Sequence, residues 1–213
     1  SNSDYSQSGL PHKEDPLVHS SVFREYDIRG LANSAITNEF ALSLGVALGE
    51  LALSQDQQAF FVGRDVRLSS KSLTEALCSG LEVAGCHVIN LGEVTTPIVN
   101  FSIEHDPICK SGVMVTASHN PAAYNGFKII LDGEVVSGQQ LQELKSALKP
   151  NNVSPDVSAP QITKGIISQY CQHIISNSSI DRSFKIVIDA GNSVAGPIAV
   201  DLFKRLGCAV EPL

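Results

Sequence analysis

The chain has 213 residues, 43% of them hydrophobic, and its formal net charge is −7. That length allows one large domain or two small ones. The negative charge does not favour nucleic acid or an anionic membrane surface as a partner. Because the chain has no Trp and only 6% aromatic residues, its core must consist mainly of Val, Ile, Leu and Ala, which suits a sheet flanked by helices.

The cysteines and the first residues bear on the compartment of the protein. Five Cys are scattered without a C-x-x-C pair, at positions 78, 86, 109, 171 and 208. Together with a polar start that lacks a secretory apolar segment, this predicts reduced thiols and a cytoplasmic location. No apolar run approaches the length of a membrane span, and the sequence indicates no particular oligomeric state.

Residues 1–19 are predicted to form a flexible arm, and residues 20–149 a complete α/β domain. Apolar periodicity and turn residues indicate the elements of that domain. The predicted strands are 59–63, 87–92, 112–116 and a hairpin over 127–136. The predicted helices follow N-caps at Thr37, at Ser69 or Ser70, at Thr96 and, with capping-box spacing, at Ser137.

A change in composition follows this domain. Residues 150–163 contain several prolines without apolar periodicity, which predicts a linker. The remaining segment, 164–213, is predicted to begin a second α/β domain. Its predicted elements are a helix over 165–177, a strand over 184–191, a helix over 196–206 and a new strand from Cys208.

The stretch TASHNPAAYNGFK, residues 116–128, gathers polar groups after a buried strand. Ser118 is expected at the carboxyl end of that strand, where α/β proteins place their sites. Asn-Pro and Asn-Gly pairs predict turns that leave backbone N–H groups free, and with His119 and Lys128 these groups suit a phosphate. The alternative is a polar loop with an incidental serine.

Two further stretches carry arginines beside predicted strands. FREYDIRG, residues 23–30, indicates an edge strand with a charged face whose arginines can bind phosphate or sugar hydroxyls. VGRDVRLSS, residues 62–70, places Arg64, Asp65 and Arg67 between a strand and a helix start. For both stretches the alternative is a structural set of ion pairs.

The remaining motifs do not indicate a further catalytic or binding site. GNSVAG, residues 191–196, fails the nucleophile-elbow pattern at Ala195, and it fails the phosphate-binding P-loop pattern because Pro197 follows Gly196. A tight strand-to-helix turn that needs glycine is the favoured interpretation. The sequence also contains no obvious carboxylate cage for Mg²⁺.

Four motifs together resemble the α-D-phosphohexomutase superfamily. TASHNP followed by YNGFK resembles its phosphoserine loop, and FREYDIRG resembles the phosphomannomutase/phosphoglucomutase branch rather than the glucosamine-phosphate branch. VGRDVRLSS and VIDAGNSVAG match in the same order, so the resemblance covers about residues 20–213. It implies a mixed-sheet phosphohexomutase domain 1 with helices on both faces, plus the start of a similar second domain.

The resemblance also implies a mechanism. A phosphate on Ser118 is donated to a hexose 1-phosphate, a hexose 1,6-bisphosphate forms and reorients, and the serine takes back the other phosphate. Mg²⁺ is expected to bind one oxygen of the Ser118 phosphate. Arg29 and Lys128 are expected to assist proton transfer and charge stabilisation, and His119 is expected to lie next to phosphate or substrate.

Residues in the matching motifs are expected to contact a small phosphosugar substrate, namely Tyr26, Arg24, Asn120 and Arg64. Family members are longer than this chain, and their aspartate-rich metal loop and their sugar-selecting and phosphate-gripping loops lie beyond Leu213. The chain is therefore expected to be an N-terminal fragment that is inactive alone.

Three alternatives stay open at this point. The first is a mutase of another hexose phosphate, such as glucosamine phosphate. The second is a non-catalytic phosphosugar-binding fragment. The third, a serine hydrolase using Ser118 or Ser193, is the weakest because no histidine–carboxylate pair is evident in the sequence.

Overall fold

The computed structural model describes residues 20–150 and 160–213, so the predicted arm and residues 151–159 of the predicted linker lie outside the described residues. The described part contains a short 3-10 helix at Ser20–Val22, eight strands and six α-helices. The strands are β1 (Ile28–Leu31), β2 (Ala59–Arg64), β3 (His87–Glu93), β4 (Gly112–Val115), β5 (Tyr124–Leu131), β6 (Glu134–Val135), β7 (Lys185–Ile188) and β8 (Ala209–Pro212). The helices are α1 (Asn38–Ser54), α2 (Ser70–Ala84), α3 (Thr96–His105), α4 (Gly138–Ala147), α5 (Ile166–Ser176) and α6 (Ala195–Arg205).

The larger sheet is mixed, as the family resemblance implies. Its strand order is β1-β5-β4-β2-β3, and β6 pairs with β5. Strand β2 is parallel to β3 and β4, whereas β5 is antiparallel to β4, β1 and β6. The loop that carries Ser118 follows β4 directly and leads into the neighbouring strand β5, so it lies at the carboxyl end of β4.

The sheet buries side chains on both faces. Along β4, Val113 and Val115 belong to one apolar cluster, and Met114 belongs to another. Residues of α1, α2 and α4 complete the first cluster, and residues of α3 complete the second. Since successive strand residues point to opposite faces, helices cover both faces of the sheet, and this prediction is confirmed.

Helices α1 and α2 pack closely at a pair of glycines. A Cβ atom at Gly45 would lie 2.3 Å from the carbonyl oxygen of Leu77, and one at Gly80 would lie 2.2 Å from that of Leu42. Glycine at both positions lets the two backbones touch, so the helix pair forms one rigid layer against the sheet.

Most predicted helix starts and ends are confirmed. The Thr37 side chain accepts a hydrogen bond of 3.1 Å from the Phe40 N–H, and Gly85 ends α2 with a φ of 104°. The hairpin turn at Asp132-Gly133 has positive φ at both residues, as a tight turn between antiparallel strands requires. The start of α3 is displaced by one residue, because Thr95 rather than Thr96 is the N-cap.

Three local predictions are wrong. Asn125 and Gly126 lie inside β5 opposite Gly30 and Arg29, instead of forming a turn, because strand pairing outweighs the turn preference of Asn-Gly. The edge strand predicted over 23–30 forms only from Ile28, as β1, so its expected part over 24–27 is wrong, because that segment is a bend. Ser137 is the N-cap of α4 but makes no side-chain capping bond, so the expected capping box does not form.

The C-terminal part contains a second, smaller sheet. Strands β7 and β8 pair in parallel, and α6 packs against both. The residues just before α5 contact the edge strand β3, since Asn90 Nδ2 donates a hydrogen bond of 2.9 Å to the Pro160 carbonyl and the Thr163 N–H donates one of 2.8 Å to the Asn90 carbonyl. The predicted domain boundaries stay predictions. No helix within the described ranges is long and apolar enough to cross a membrane.

Candidate active site

Ser118 occupies a constrained position directly after β4. Its side chain is exposed, the preceding Ala117 is buried, and its φ of 56° lies in the left-handed region. A non-glycine residue in that region costs of order 1–3 kcal/mol and persists only where its surroundings hold it. Here the Ser118 N–H donates a hydrogen bond of 2.9 Å to the hydroxyl oxygen of Thr116.

Arg67 holds the same loop from the other side. Its guanidinium donates hydrogen bonds of 2.9 Å to the Ser118 carbonyl and 2.7 Å to the Asn120 carbonyl. It also donates to the carbonyls of Pro121, at 2.7 Å, and Tyr124, at 3.2 Å. One side chain therefore joins both ends of the loop, from Ser118 to the start of β5.

Asp65 connects these two supports. Its Oδ2 atom accepts from the Thr116 hydroxyl at 2.7 Å and from Arg67 Nε at 3.1 Å. Its Oδ1 atom accepts from the Ser70 hydroxyl at 2.5 Å and from the Arg67 N–H at 3.0 Å. Both carboxylate oxygens are thus used within the scaffold of the loop.

Asn125 ties β5 to the start of α2. It is fully buried, and its Nδ2 donates hydrogen bonds of 2.8 Å and 2.9 Å to the hydroxyls of Ser69 and Ser70. The Asn-Gly pair that the sequence analysis interpreted as a turn is therefore an internal brace of the site.

A buried carboxylate brings two of the predicted catalytic cations together. The Asp27 carboxylate pairs with Arg29 and lies 3.2 Å from Lys128 Nζ. Burial alone would raise the pKa of Asp27, but the hydrogen bonds and charges of Arg29 and Lys128 outweigh burial and lower it. The group is therefore an anion that holds both cations in place.

Arg29 also reaches the Ser118 loop. Its Nη1 donates a hydrogen bond of 2.8 Å to Oδ1 of Asn120. Among the described residues, its buried Nε has no hydrogen-bond partner. The structure thus brings together Arg29, Lys128 and Asn120, which the sequence analysis named separately.

A cavity of about 680 Å³ opens in front of Ser118. Ser118, His119 and Asn120 line it from the loop, and the turn 191–195 lines it from the C-terminal part. That turn is tight, with φ of 57° at Gly191 and 60° at Asn192, which confirms the glycine-dependent strand-to-helix turn predicted for GNSVAG.

His119 does not form a hydrolase pair. Its Nδ1 lies 3.5 Å from the Ser118 hydroxyl oxygen, which is long for a hydrogen bond. Across residues 20–150 and 160–213 no carboxylate is hydrogen-bonded to His119. The nucleophile, base and orienting acid of a serine hydrolase are therefore not assembled at Ser118.

The other predicted substrate contacts lie elsewhere or face solvent. Arg24 and Tyr26 are exposed on the bend before β1. Arg64 pairs with Glu93 at 3.1 Å and lines a separate cavity with Asn90. The structure does not bring Arg64 into the cavity of Ser118, and a substrate role for these three residues stays a prediction.

Mg²⁺ binding at Ser118 stays a prediction for the described residues. They contain no group of three or more His, Cys, Asp or Glu that could hold a metal. Asp65, which also lines the Ser118 cavity, already uses both carboxylate oxygens.

The roles of Asp27 and Thr116, and the carbonyl contacts of Arg67, were not predicted from the sequence. All three residues lie within the stretches 23–30, 62–70 and 116–128, so their positions were evident from the sequence. Their partners were not, because the contacts join residues 101 positions apart in one case and 51 positions apart in another.

Comparisons with known proteins identify the family of this chain. The family model described as "Phosphoglucomutase/phosphomannomutase, alpha/beta/alpha domain I" matches residues 20–152. The phosphomannomutase/phosphoglucomutase of Pseudomonas aeruginosa is 39% identical over 201 residues, covering 93% of this chain and 42% of that protein. The phosphoglucomutase of Neisseria gonorrhoeae is 38% identical over 194 residues, covering 90% of this chain and 42% of that protein.

A solved structure shares the fold. The crystal structure of a phosphoglucomutase/phosphomannomutase family protein from Burkholderia thailandensis matches with a TM-score of 0.81 and 35% identity, covering 92% of this chain and 44% of that one. The chain thus spans less than half the length of the relatives it matches. From the family match, the mixed sheet and the shared sequence, we conclude that the chain belongs to the phosphoglucomutase/phosphomannomutase family.

Proposed function

We propose that the chain is the N-terminal part of a phosphomannomutase/phosphoglucomutase that interconverts hexose 1-phosphate and hexose 6-phosphate. The observation that carries this proposal is the position of Ser118. It is exposed to a large cavity, in a left-handed conformation fixed by hydrogen bonds on both of its peptide units. Phosphoryl transfer depends mainly on such positioning and on nearby cations.

In the proposed reaction Ser118 carries the phosphoryl group. The bond between Ser118 Oγ and phosphorus breaks as the free hydroxyl oxygen of a hexose 1-phosphate bonds to the same phosphorus. The proton lost by that hydroxyl ends on the released serine oxygen. The 1,6-bisphosphate then reorients, and Ser118 Oγ bonds to the phosphorus at position 1 while the bond from that phosphorus to the sugar oxygen breaks. The serine hydroxyl proton ends on that sugar oxygen, which leaves hexose 6-phosphate.

Arg29 and Lys128 supply positive charge in this proposal. Asp27 keeps the two cations close together, and Asn120 ties Arg29 to the loop of Ser118. In this proposal the two cations stabilise the negative charge that the phosphoryl oxygens carry in the transition state. His119 lines the cavity beside Ser118 and is proposed to contact phosphate or sugar.

We further propose that the complete enzyme requires Mg²⁺ and that this chain does not hold it alone. Mg²⁺ neutralises phosphoryl charge when it is bound. Its expected partner here is an oxygen of the Ser118 phosphate, and the described residues offer no carboxylate cluster to complete the coordination. The chain 1–213 should therefore show no sustained mutase turnover, with or without Mg²⁺.

The substrate and the location are also proposals. The name of the Pseudomonas relative includes both the mannose and the glucose phosphate activity, which favours these sugars over glucosamine phosphate. A cytoplasmic location is supported by five cysteines that are all buried and unpaired.

A coupled assay tests the proposed function. Full-length enzyme is given glucose 1-phosphate or mannose 1-phosphate, with Mg²⁺ and a trace of the 1,6-bisphosphate. Hexose 6-phosphate should form, and Ser118→Ala should remove nearly all turnover because the covalent route is lost. Unchanged turnover in Ser118→Ala would overturn the proposal, and sustained turnover by chain 1–213 would overturn the inactivity of the fragment.

A further inference from the structure

Arg67 lies at the wall of the Ser118 cavity, where an arginine is a natural candidate for binding phosphate. A guanidinium has five N–H donors. Nε donates to Asp65, Nη1 donates to the carbonyls of Pro121 and Tyr124, and Nη2 donates to the carbonyls of Ser118 and Asn120. Every donor is therefore used within the protein, and none is left for a substrate.

Four of these five acceptors are backbone carbonyls of one loop. The planar fork of a guanidinium fixes their relative positions in a way that a single ammonium group, with three donors on a flexible stem, cannot reproduce. The carbonyls belong to residues between Ser118 and Tyr124, so the shape of the whole loop depends on one side chain.

The same network fixes the backbone of Ser118 itself. Arg67 holds its carbonyl, and Thr116 holds its N–H. Arg67 and Thr116 both bond to Oδ2 of Asp65. The two peptide units that flank Ser118 are thus anchored to a single carboxylate oxygen, which keeps the residue in its left-handed conformation.

We propose that Arg67 is a positioning residue for the phosphoryl-carrying serine and does not bind substrate. This inference rests on the proposed function, since it assigns Arg67 a purpose in phosphoryl transfer through Ser118. Displacing a reacting group by about 1 Å can cost about 100-fold in rate. We call the hydrogen bonds from Arg67 to the carbonyls of the loop, together with the bond from Ser118 N–H to Thr116, the clamp. Loss of the clamp therefore lowers kcat and leaves KM for the hexose phosphate nearly unchanged.

The kinetic test compares Arg67→Lys with wild type in the full-length enzyme. Arg67→Lys keeps the charge but not the fork, so we expect kcat to fall about 10- to 100-fold with KM within about threefold. The matched control is Arg205→Lys, because Arg205 bonds to Asp201 and Gln172 outside the cavity, and both its parameters should stay at wild-type values. A raised KM with unchanged kcat would make Arg67 a substrate-binding residue and overturn the proposal.

A second test does not depend on activity. Amide hydrogen exchange in chain 1–213 should become at least about 10-fold faster over residues 118–124 in Arg67→Lys, with the rest of the large sheet unaffected. Thr116→Val, which removes the hydroxyl that accepts from Ser118 N–H, should give the same local pattern. Wild-type exchange in this loop in both variants would overturn the clamp. Faster local exchange in an enzyme that proves to have no mutase activity would support the clamp while refuting the proposed function.

Discussion

Arg29 Nη1 donates a hydrogen bond of 2.8 Å to Oδ1 of Asn120, although the two residues lie 91 positions apart in the chain. The contact depends on the antiparallel pairing of β1 with β5, which places Arg29 opposite Gly126. A Cβ atom at Gly126 would lie 2.1 Å from the Ile28 carbonyl oxygen, so the two strands approach each other closely at this point. The pairing of an edge strand therefore sets the position of a cation that contacts the Ser118 loop through Asn120.

Removing the charge of Lys128 tests the paired cations. Lys128→Met should lower kcat of the full-length enzyme by about 100- to 1000-fold, the range found when one group that stabilises transition-state charge is lost. Lys204→Met, an exposed lysine on α6, is the control and should behave as wild type. Steady-state kinetics measure kcat of both variants. Full turnover by Lys128→Met would show that Lys128 has no role in the mechanism.

The Asp27 carboxylate should make stability depend on pH in a defined direction. Its pKa is lower in the folded protein, so its contribution is present above the unfolded pKa of about 3.9 and is lost as the pH falls through the folded pKa. The difference in free energy of unfolding between wild type and Asp27→Asn should therefore narrow as the pH falls from about 5 to about 3. Urea titrations of chain 1–213 measure it. A difference that widens on acidification would mean that burial, which raises the pKa, prevails.

The close packing of α1 on α2 predicts a strong effect of one methyl group. Gly45→Ala should destabilise chain 1–213 by about 1–3 kcal/mol, despite the higher helix propensity of Ala, because the new Cβ meets the backbone of Leu77. Glu50→Ala, at an exposed position of the same helix, should have little effect. Thermal unfolding of both variants provides the measurement, and equal melting temperatures would show that the helices separate without cost.

Asn90 is predicted to hold the segment before α5 on the edge of the large sheet. Asn90→Ala removes the hydrogen bond to the Pro160 carbonyl and the bond that Asn90 Oδ1 accepts from the Gly92 N–H. Trypsin should then cleave after Lys164 several-fold faster. The control Asn100→Ala, at an exposed position on α3, should be cleaved by trypsin at the wild-type rate. Unchanged cleavage of Asn90→Ala would show that other contacts hold this segment.

Local patterns in the sequence were sufficient to predict most of the helices and strands, whereas the mixed sheet was expected only from the family resemblance. Strand β2 and helix α2 were predictable because apolar periodicity and a C-terminal glycine are local signals. The turn predicted at Asn125-Gly126 is wrong because a contact with a distant part of the chain decides the structure there. Its local preference is overridden by pairing with β1, and that partner strand lies about a hundred residues away in the chain.

In the site, too, positions that depend on neighbouring residues could be predicted, and contacts between distant residues could not. Ser118 could be located because it follows a buried strand, and that placement needs only neighbouring residues. The shared anion at Asp27 and the carbonyl contacts of Arg67 could not be predicted. Both depend on which strands are neighbours in the sheet, and the residues themselves carry no pattern that names their partners.

Phosphorylation of Ser118 by the substrate can be measured directly. The full-length enzyme is incubated with hexose 1,6-bisphosphate labelled in its phosphates, digested, and the labelled peptide is sequenced by mass spectrometry. The label should appear on Ser118 and on no other residue, and Ser118→Ala should take up none. Label on another residue with Ser118 unmodified would contradict the account.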